Sequence, residues 1–177
     1  MLEKEKIQNY AIALFELSTE QNKTDEFYIQ FKKITSAFRD EPDFAKVLNS
    51  YSIPNEDKYK MIDNVFSGND QLIINFIKIL SKEHMITKIV YIYEVFRNFY
   101  YEAKKIKRGT IFSTTPLTEK EIEQFTQKYS IMFNFNLILK NRIDKSIIGG
   151  VKIVIDDIVI DNTILNQLNK LKDSILK

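Results

Sequence analysis

The sequence lacks cysteine and holds a single histidine, His84. The absence of cysteine excludes disulfides, thiolate metal ligands and a cysteine nucleophile. With one imidazole in the chain, zinc centres and catalytic dyads lose most of their usual ligands and bases. His84 follows a polar Ser-Lys-Glu sequence that offers no orienting partner. We therefore predict that it is a solvated loop residue and not a catalytic base.

Long apolar runs and a large excess of one charge are also missing. The most apolar window, residues 72–80, is interrupted by Asn75 and Lys78, and it is far shorter than the roughly 20 residues that span a bilayer. The formal net charge is only +2, whereas a dedicated nucleic-acid binder usually carries a larger, localised basic excess. The charged start, residues 1–6, lacks the apolar run of a signal peptide. We expect neither membrane insertion nor export.

Apolar residues make up 44% of the 177-residue chain, which is enough for one large domain or two small ones. As far as about residue 107, they recur at steps of three and four, as at Tyr10 and Leu14. Pro42 and Pro54 fit the first turns of further helices, because a first turn needs no backbone donor. The pattern predicts consecutive amphipathic helices, and the last of them runs from about residue 86 to residue 108.

The period changes after Gly109. Residues 110–115 are rich in β-branched side chains and predict a strand, and a second strand is predicted over residues 135–142. Between them, Thr118 and Glu121 have the spacing of a capping box. Residues 151–160 predict a hairpin that turns at Asp156 and Asp157, and residues 162–177 predict a final helix. The fold class is therefore mainly α, with a helical domain over residues 1–107 and a small α+β domain over residues 108–177.

Two small motifs invite a chemical interpretation. Gly149-Gly150 lacks the rest of any phosphate-loop pattern, and we expect a bend at the entry of a strand, where glycine accepts a positive φ. Asp156, Asp157 and Asp161 would be the metal ligands of a small hydrolase, but their spacing matches no calcium loop and aspartate is a common turn residue.

A basic cluster lies near the predicted domain boundary and consists of Lys104, Lys105, Lys107 and Arg108. Because two tyrosines precede it, one alternative is an RNA-binding adaptor that combines charge with base stacking. The other explanation is that cations are favoured at the carboxyl end of a helix.

Apolar surface is present in surplus. The helix over residues 72–80 is apolar around most of its circumference, and the first helix places the small Ala13 beside larger neighbours. Small residues next to aromatic ones form a groove that can accept a partner's amphipathic helix. The alternative is that both helices simply fill a core.

Several segments resemble the delta subunit family of F-type ATP synthase, which includes the mitochondrial oligomycin-sensitivity-conferring protein. The similarity covers nearly the whole chain and is strongest at Ile143-Asp144-Lys145-Ser146-Ile147-Ile148-Gly149-Gly150-Val151 with the later Val159-Ile160-Asp161. The other similar segments are Tyr10-Ala11-Ile12-Ala13-Leu14-Phe15, Asn75-Phe76-Ile77-Lys78-Ile79-Leu80, Arg108-Gly109-Thr110 and Pro116-Leu117-Thr118.

The resemblance implies a non-catalytic stator, or connector, subunit without a cofactor. It would link the F1 catalytic head to the peripheral stalk and support proton-driven ATP synthesis or hydrolysis. The implied fold is a six-helix N-terminal bundle followed by the small α+β domain. The subunit would be monomeric alone, present once per complex, and peripheral at the cytoplasmic face of the cell membrane.

The resemblance also implies two partners. The N-terminal helix of an alpha subunit would bind between the first and fifth helices, and the C-terminal region of a b subunit would bind the C-terminal domain. The expected groove residues are Tyr10, Ala13, Leu14, Leu17, Ile73, Ile74 and Ile77. This chain departs from the family at Ile12, where a lysine is common, and at residues 162–165, where we expect Asn162 to replace glycine in a left-handed turn.

Overall fold

The computed structural model describes residues 2–175 and divides into two compact units, Met1–Tyr100 and Tyr101–Lys177. The last two residues of the predicted final helix, 176 and 177, lie outside the described residues. Within residues 2–175 the chain is mainly helical and has one small four-stranded sheet. This agrees with the fold class expected from the sequence.

Six α-helices precede the sheet within the described residues, with a short 3-10 helix, Ile86–Lys88, before the sixth. They are α1 (Leu2–Glu20), α2 (Thr24–Asp40), α3 (Pro42–Asn49), α4 (Asn55–Phe66), α5 (Gln71–Lys82) and α6 (Ile89–Ala103).

The core of the first unit is built around the fully buried ring of Phe31 on α2. Its ring centroid lies 5.8 Å from that of Phe76 on α5, 5.5 Å from Tyr93 and 5.6 Å from Phe96 on α6. All three pairs meet edge to face, the geometry that the ring quadrupole favours. A single side chain therefore joins three helices.

The helix starts follow the signals in the sequence. Pro42 occupies the first turn of α3, as predicted. Asp70 caps α5: its carboxylate accepts a hydrogen bond from the Leu72 amide at 2.9 Å, which satisfies one of the free donors at the helix start.

The predicted end of α6 is wrong. The helix ends at Ala103, and Lys105 adopts a left-handed conformation with φ 51°. Strand β1 (Ile106–Ser113) then begins within the residues that we predicted to be helical. The reason is tertiary, because β1 pairs in parallel with β2 (Asn136–Ile143), starting with Ile106 opposite Asn136.

The sheet of the second unit has the order β2-β1-β3-β4. Strands β3 (Gly150–Ile155) and β4 (Ile158–Thr163) form the predicted hairpin, and β3 also runs antiparallel to β1. Helix α7 (Glu119–Phe133) connects β1 to β2, and α8 (Ile164–Ile175) follows β4. The predicted capping box is confirmed, since Thr118 accepts a hydrogen bond from the Glu121 amide and the Glu121 carboxylate accepts one from the Thr118 amide.

Alternation along the strands separates the two faces of the sheet. The inner face carries Ile111, Leu139 and Ile153, which pack with the buried ring of Tyr129 from α7. The opposite face carries the alternate residues, which are half-buried or exposed over most of its length. Such one-sided covering is usual where a sheet has antiparallel pairs.

The predicted bend at the glycine pair is confirmed at Gly150, which has φ 82°. A Cβ atom there would lie 2.3 Å from the carbonyl oxygen of Asn162, so no larger residue fits without movement. The expected left-handed turn at Asn162 is wrong. Asn162 belongs to β4, and its side-chain amide donates to the hydroxyl of Tyr129 at 3.1 Å, so the final helix starts two residues later than predicted, at Ile164.

Candidate functional site

Helices α1 and α5 lie side by side and antiparallel, as three contacts along their length demonstrate. Glu3 near the start of α1 pairs with Lys88, just beyond α5, at 2.7 Å. In the middle, the rings of Tyr10 and Phe76 meet edge to face at 6.3 Å. Beyond the end of α1, Lys23 pairs with Asp70, the cap of α5, at 2.7 Å. The two helices between which the resemblance implies a groove are therefore neighbours.

The predicted residues of α1 differ in accessibility. Ala13 is exposed, and Tyr10 and Leu17 are half-buried. Leu14 is only 1% exposed and belongs to the core. Three of the four α1 positions are thus accessible at the surface, and Leu14 lies beneath them in the core.

The predicted exposed side of α5 is wrong. Ile73 and Ile77 are fully buried, and Ile74 is 3% exposed. The apolar residues of α5 that reach the surface are Ile79, which is 48% exposed, and the half-buried Leu72. Because α5 is apolar around most of its circumference, its sequence alone does not distinguish the core side from the open side.

We define the α1/α5 strip as Tyr10, Ala13, Leu17, Leu72 and Ile79. On each helix these residues are spaced by three, four or seven positions, so they share a face. The contact between Tyr10 and Phe76 turns that face of α5 towards α1, because Phe76 lies between Leu72 and Ile79 on the same side of the helix.

The α1/α5 strip carries no charged residue, and Tyr10 is its one ionisable side chain. Burial raises the pKa of the Tyr10 phenol, and the negative charge of Glu83 raises it further. The Tyr10 hydroxyl therefore stays protonated and neutral across the physiological range. A surface of this kind suits an apolar partner and contains no nucleophile or base.

His84 is not the solvated loop residue that we predicted. Its ring is half-buried and stacks on Tyr51 at a centroid distance of 3.7 Å. Its Nδ1 lies 2.9 Å from the carbonyl oxygen of Asn49. Asn49 ends α3 and Tyr51 lies in the loop that follows, and both partners are more than thirty residues away in the chain. His84 therefore joins two segments of the first unit.

The basic cluster does not form a continuous charged helix end. Lys105 lies in the left-handed turn, and Lys107 and Arg108 lie in β1. Lys107 also pairs with Asp156 at 2.7 Å. This geometry divides the cluster between a turn and a strand and gives the RNA-binding alternative no support.

Two of the three carboxylates considered as metal ligands, Asp156 and Asp161, have structural partners. Asp161 accepts hydrogen bonds from the side chain and backbone of Thr163 at 2.7 and 2.9 Å, and these bonds lower its pKa. Asp156 pairs with Lys107. Across residues 2–175 there is no group of three or more potential ligands placed to hold a metal ion.

The second unit carries apolar surface that the sequence did not single out. Ile164, Leu165 and Leu168 on α8 are 47%, 50% and 57% exposed, and Ile148 beside the glycine pair is 73% exposed. The side chain of Ile164 approaches Gly149, where an added Cβ would lie 2.6 Å from its Cδ1 atom. We define the α8 patch as these four isoleucine and leucine residues. Among the helices of the described chain, none is long and apolar enough to cross a membrane.

Comparison with known proteins places this geometry in a family. The model of the ATP synthase delta (OSCP) subunit family matches residues 7–175. The chain belongs to this family. It is 36% identical over 171 residues to ATP synthase subunit delta of Metamycoplasma arthritidis, covering 97% of this chain and 96% of that protein. It is 28% identical over 169 residues to the corresponding subunit of Clostridium beijerinckii, covering 95% and 94%.

The delta-family fold also appears among solved structures. A chain of the mitochondrial ATP synthase hexamer of Toxoplasma gondii superposes with a TM-score of 0.63 at 15% identity, and the match covers 97% of both chains. At this identity the likeness concerns the fold. The family match confirms the resemblance seen in the sequence: the chain is a non-catalytic stator subunit of F-type ATP synthase and a peripheral part of that complex.

Proposed function

We propose that this delta-family subunit connects the catalytic head to the peripheral stalk by binding the N-terminal helix of an alpha subunit on the α1/α5 strip. The observation that carries the proposal is the 48% exposure of Ile79 on the side of α5 that turns towards Tyr10. An isolated chain leaves this apolar side chain in water, and a partner helix would bury it. Removal of apolar surface from water contributes about 25 cal/mol per Å², from which the entropic cost of association is subtracted.

The shape of the α1/α5 strip favours a helix as the occupant. Ala13 is small and exposed, and it lies one turn from Tyr10 and one turn from Leu17. A short side chain at this position lets a second helix approach closely, with its own apolar residues at steps of three, four and seven. Leu14, Ile73, Ile74 and Ile77 would support the strip from the core without direct contact.

The two units would have different partners. We assign the alpha subunit to the six helices of the N-terminal bundle, residues 1–107 in the division expected from the sequence. We assign the C-terminal region of the b subunit to residues 108–177. The α8 patch supports this second assignment, because half-exposed leucines on the last helix are the kind of surface that a stalk helix buries.

The remaining properties follow from the same assignment. The subunit would be monomeric alone and present once per complex. It would be held at the cytoplasmic face of the cell membrane by its partners.

The α1/α5 proposal is tested with the full chain and a synthetic peptide of the N-terminal residues of the cognate alpha subunit. Calorimetric titration should give a one-to-one complex. Ala13→Glu should weaken binding at least tenfold, because it places a charge in the middle of the strip, yet glutamate is a good helix former and should preserve the fold. Ile29→Glu is the matched control, since Ile29 is 52% exposed on α2. Equal affinities of the two variants would refute the assignment.

A further inference from the structure

The outer face of the sheet, which is the face away from Tyr129, carries accessible apolar side chains among the described residues of the second unit. Ile138 and Val159 on this face are 41% and 57% exposed, and Phe112 and Val154 are half-buried. Domains usually bury the apolar residues of a sheet between layers. The outer face therefore keeps apolar surface that a further element can cover.

Four cations project from the same face. Arg108 lies on β1, Lys140 and Arg142 on β2, and Lys152 on β3. The register sets Phe112 between two of them, because it is opposite Arg142 on one side and Lys152 on the other. The strands thus align positive charges along both flanks of an apolar centre.

Three carboxylates lie near these cations. Asp156 lines the same depression as Arg108 and Lys140, and Asp161 is opposite Lys152 in the strand register. Hydrogen bonds from Ser146 mainly lower the pKa of Asp144, and the charges of Lys152 and Arg142 add to the effect.

Within the described residues, no carboxylate lies within ion-pair distance of Arg108, Lys140 or Arg142. Asp161, at the β4 edge, has its carboxylate engaged by Thr163. The hydrogen bonds that Thr163 donates are the main cause of the lowered pKa of Asp161, and the charge of Lys152 adds to the effect. The four cations of the face outnumber the three carboxylates, one of which, Asp156, is already paired with Lys107.

The apolar centre has a concave part. A depression of about 310 Å³ lies over β1, β2 and β3, and its walls include Thr110, Ile138 and Val154 from the outer face. Arg108, Lys140 and Asp156 also line it. Aliphatic side chains beside cationic ones match a surface that is apolar along one line and acidic on both sides.

We propose that the outer sheet face is a docking surface for an acidic amphipathic helix of another protein. The apolar stripe of that helix would lie on Phe112 and Val154, and its flanking carboxylates would pair with Lys140, Arg142 and Lys152. Charge complementarity identifies this occupant, because buried apolar surface gives affinity and the flanking charges fix orientation. The proposal concerns a different surface from the α1/α5 strip and does not depend on it.

The face favours a protein helix over nucleic acid. Proteins that bind single strands on a sheet present several aromatic rings for stacking. Here the outer face offers the half-buried ring of Phe112 among aliphatic neighbours. Branched aliphatic side chains pack well against leucines but do not stack on bases.

The test uses the ¹⁵N-labelled full chain and a designed helical peptide with a leucine stripe flanked by glutamates. Amide shifts on titration should be concentrated at Thr110, Phe112 and Val154. A peptide with lysine in place of each glutamate should bind at least tenfold more weakly. The Lys140→Glu/Arg142→Glu variant should lose at least tenfold in affinity for the acidic peptide. The Lys120→Glu/Lys128→Glu variant on α7, with the same net charge, should bind as the unmodified chain does.

Several outcomes overturn the proposal. They are shifts centred on α7, equal losses in the two double variants, and no saturation by the acidic peptide at millimolar concentration. Tighter binding of a single-stranded RNA oligomer to the same residues would also overturn it in favour of a nucleic-acid site. If the Lys140→Glu/Arg142→Glu variant loses its dispersed spectrum, Lys152→Glu replaces it, with the same loss expected.

Discussion

The rings of Tyr10 and Phe76 meet edge to face at 6.3 Å and hold α1 against α5. This contact determines which side of α5 faces α1 and therefore which apolar residues remain accessible. Ile79 is accessible, whereas Ile73 and Ile77 are buried. The proposed α1/α5 strip depends on that one orientation of α5.

Replacing Tyr10 tests the contact. Tyr10→Ala should lower the free energy of unfolding by about 1–3 kcal/mol, because it removes a half-buried ring and its edge contact. Tyr10→Phe retains the ring and should change stability little at neutral pH. Urea denaturation followed by circular dichroism measures both. Equal losses in the two variants would mean that the hydroxyl, and not the ring, stabilises the fold.

The Tyr10 phenol also gives a pH dependence. Its folded pKa is raised by burial and by Glu83, so its contribution to stability is complete below the unfolded pKa of about 10 and is lost as pH rises through the folded pKa. Between about pH 9 and 11, the free energy of unfolding of the unmodified chain should fall more steeply than that of the Tyr10→Phe variant. Parallel curves would contradict the direction of this shift.

Asp70 combines a helix cap with an ion pair. Asp70→Ala should cost about 1–2 kcal/mol because both interactions are lost. Asp70→Asn keeps a capping oxygen and should cost less. The pKa of Asp70 is lowered by its hydrogen bond with Lys23 and by the Leu72 amide, so the charge stabilises above the unfolded pKa of about 4, and this advantage is lost as pH falls through the folded pKa. Acid unfolding of Asp70→Asn beside the unmodified chain measures the difference, which should vanish in acid.

Gly150 tests the bend at the start of β3. Gly150→Ala should destabilise the second unit by about 1–3 kcal/mol, because alanine disfavours the positive φ and its Cβ would clash with the Asn162 carbonyl. Gly68→Ala is the control, since its Cβ would meet nothing within 4 Å. Hydrogen exchange of the β3 amides reports the loss in the affected unit. Comparable protection in the two variants would argue against a strained site.

The α8 patch gives a prediction for the stalk. Leu168→Glu should leave the fold intact, because Leu168 is 57% exposed, and should weaken capture by a C-terminal fragment of the cognate b subunit at least tenfold. Ile131→Glu on α7 is the matched control, with a side chain that is 84% exposed. Pull-down of the full chain by the immobilised fragment measures both. Similar capture of the two variants would remove α8 from the interface.

Much of the local structure could be predicted from the sequence because the signals are local. Pro42 and the pair Thr118 and Glu121 mark helix starts, and both are confirmed where predicted. Gly150 was likewise predictable, since few other residues accept its conformation. These features depend on neighbours within a few positions.

The errors arise where contacts with segments distant in the sequence determine the local structure. The sequence pattern of the preceding helix continues through residues 106–108, but pairing with β2 makes them a strand. His84 was predicted to be solvated because its partners, Asn49 at the end of α3 and Tyr51 in the loop that follows, are more than thirty residues away in the chain. The open side of α5 was missed because apolar residues surround the helix and only its packing against Tyr10 selects a face.

The most direct test of the central claim measures the affinity of the full chain for the purified catalytic head of the same organism. The unmodified chain should bind tightly. Ile79→Glu should reduce the affinity at least tenfold because it places a charge on the α1/α5 strip, and Ile29→Glu, at a comparably exposed position on α2, should bind as the unmodified chain does. Undiminished binding by a folded Ile79→Glu variant would contradict the account.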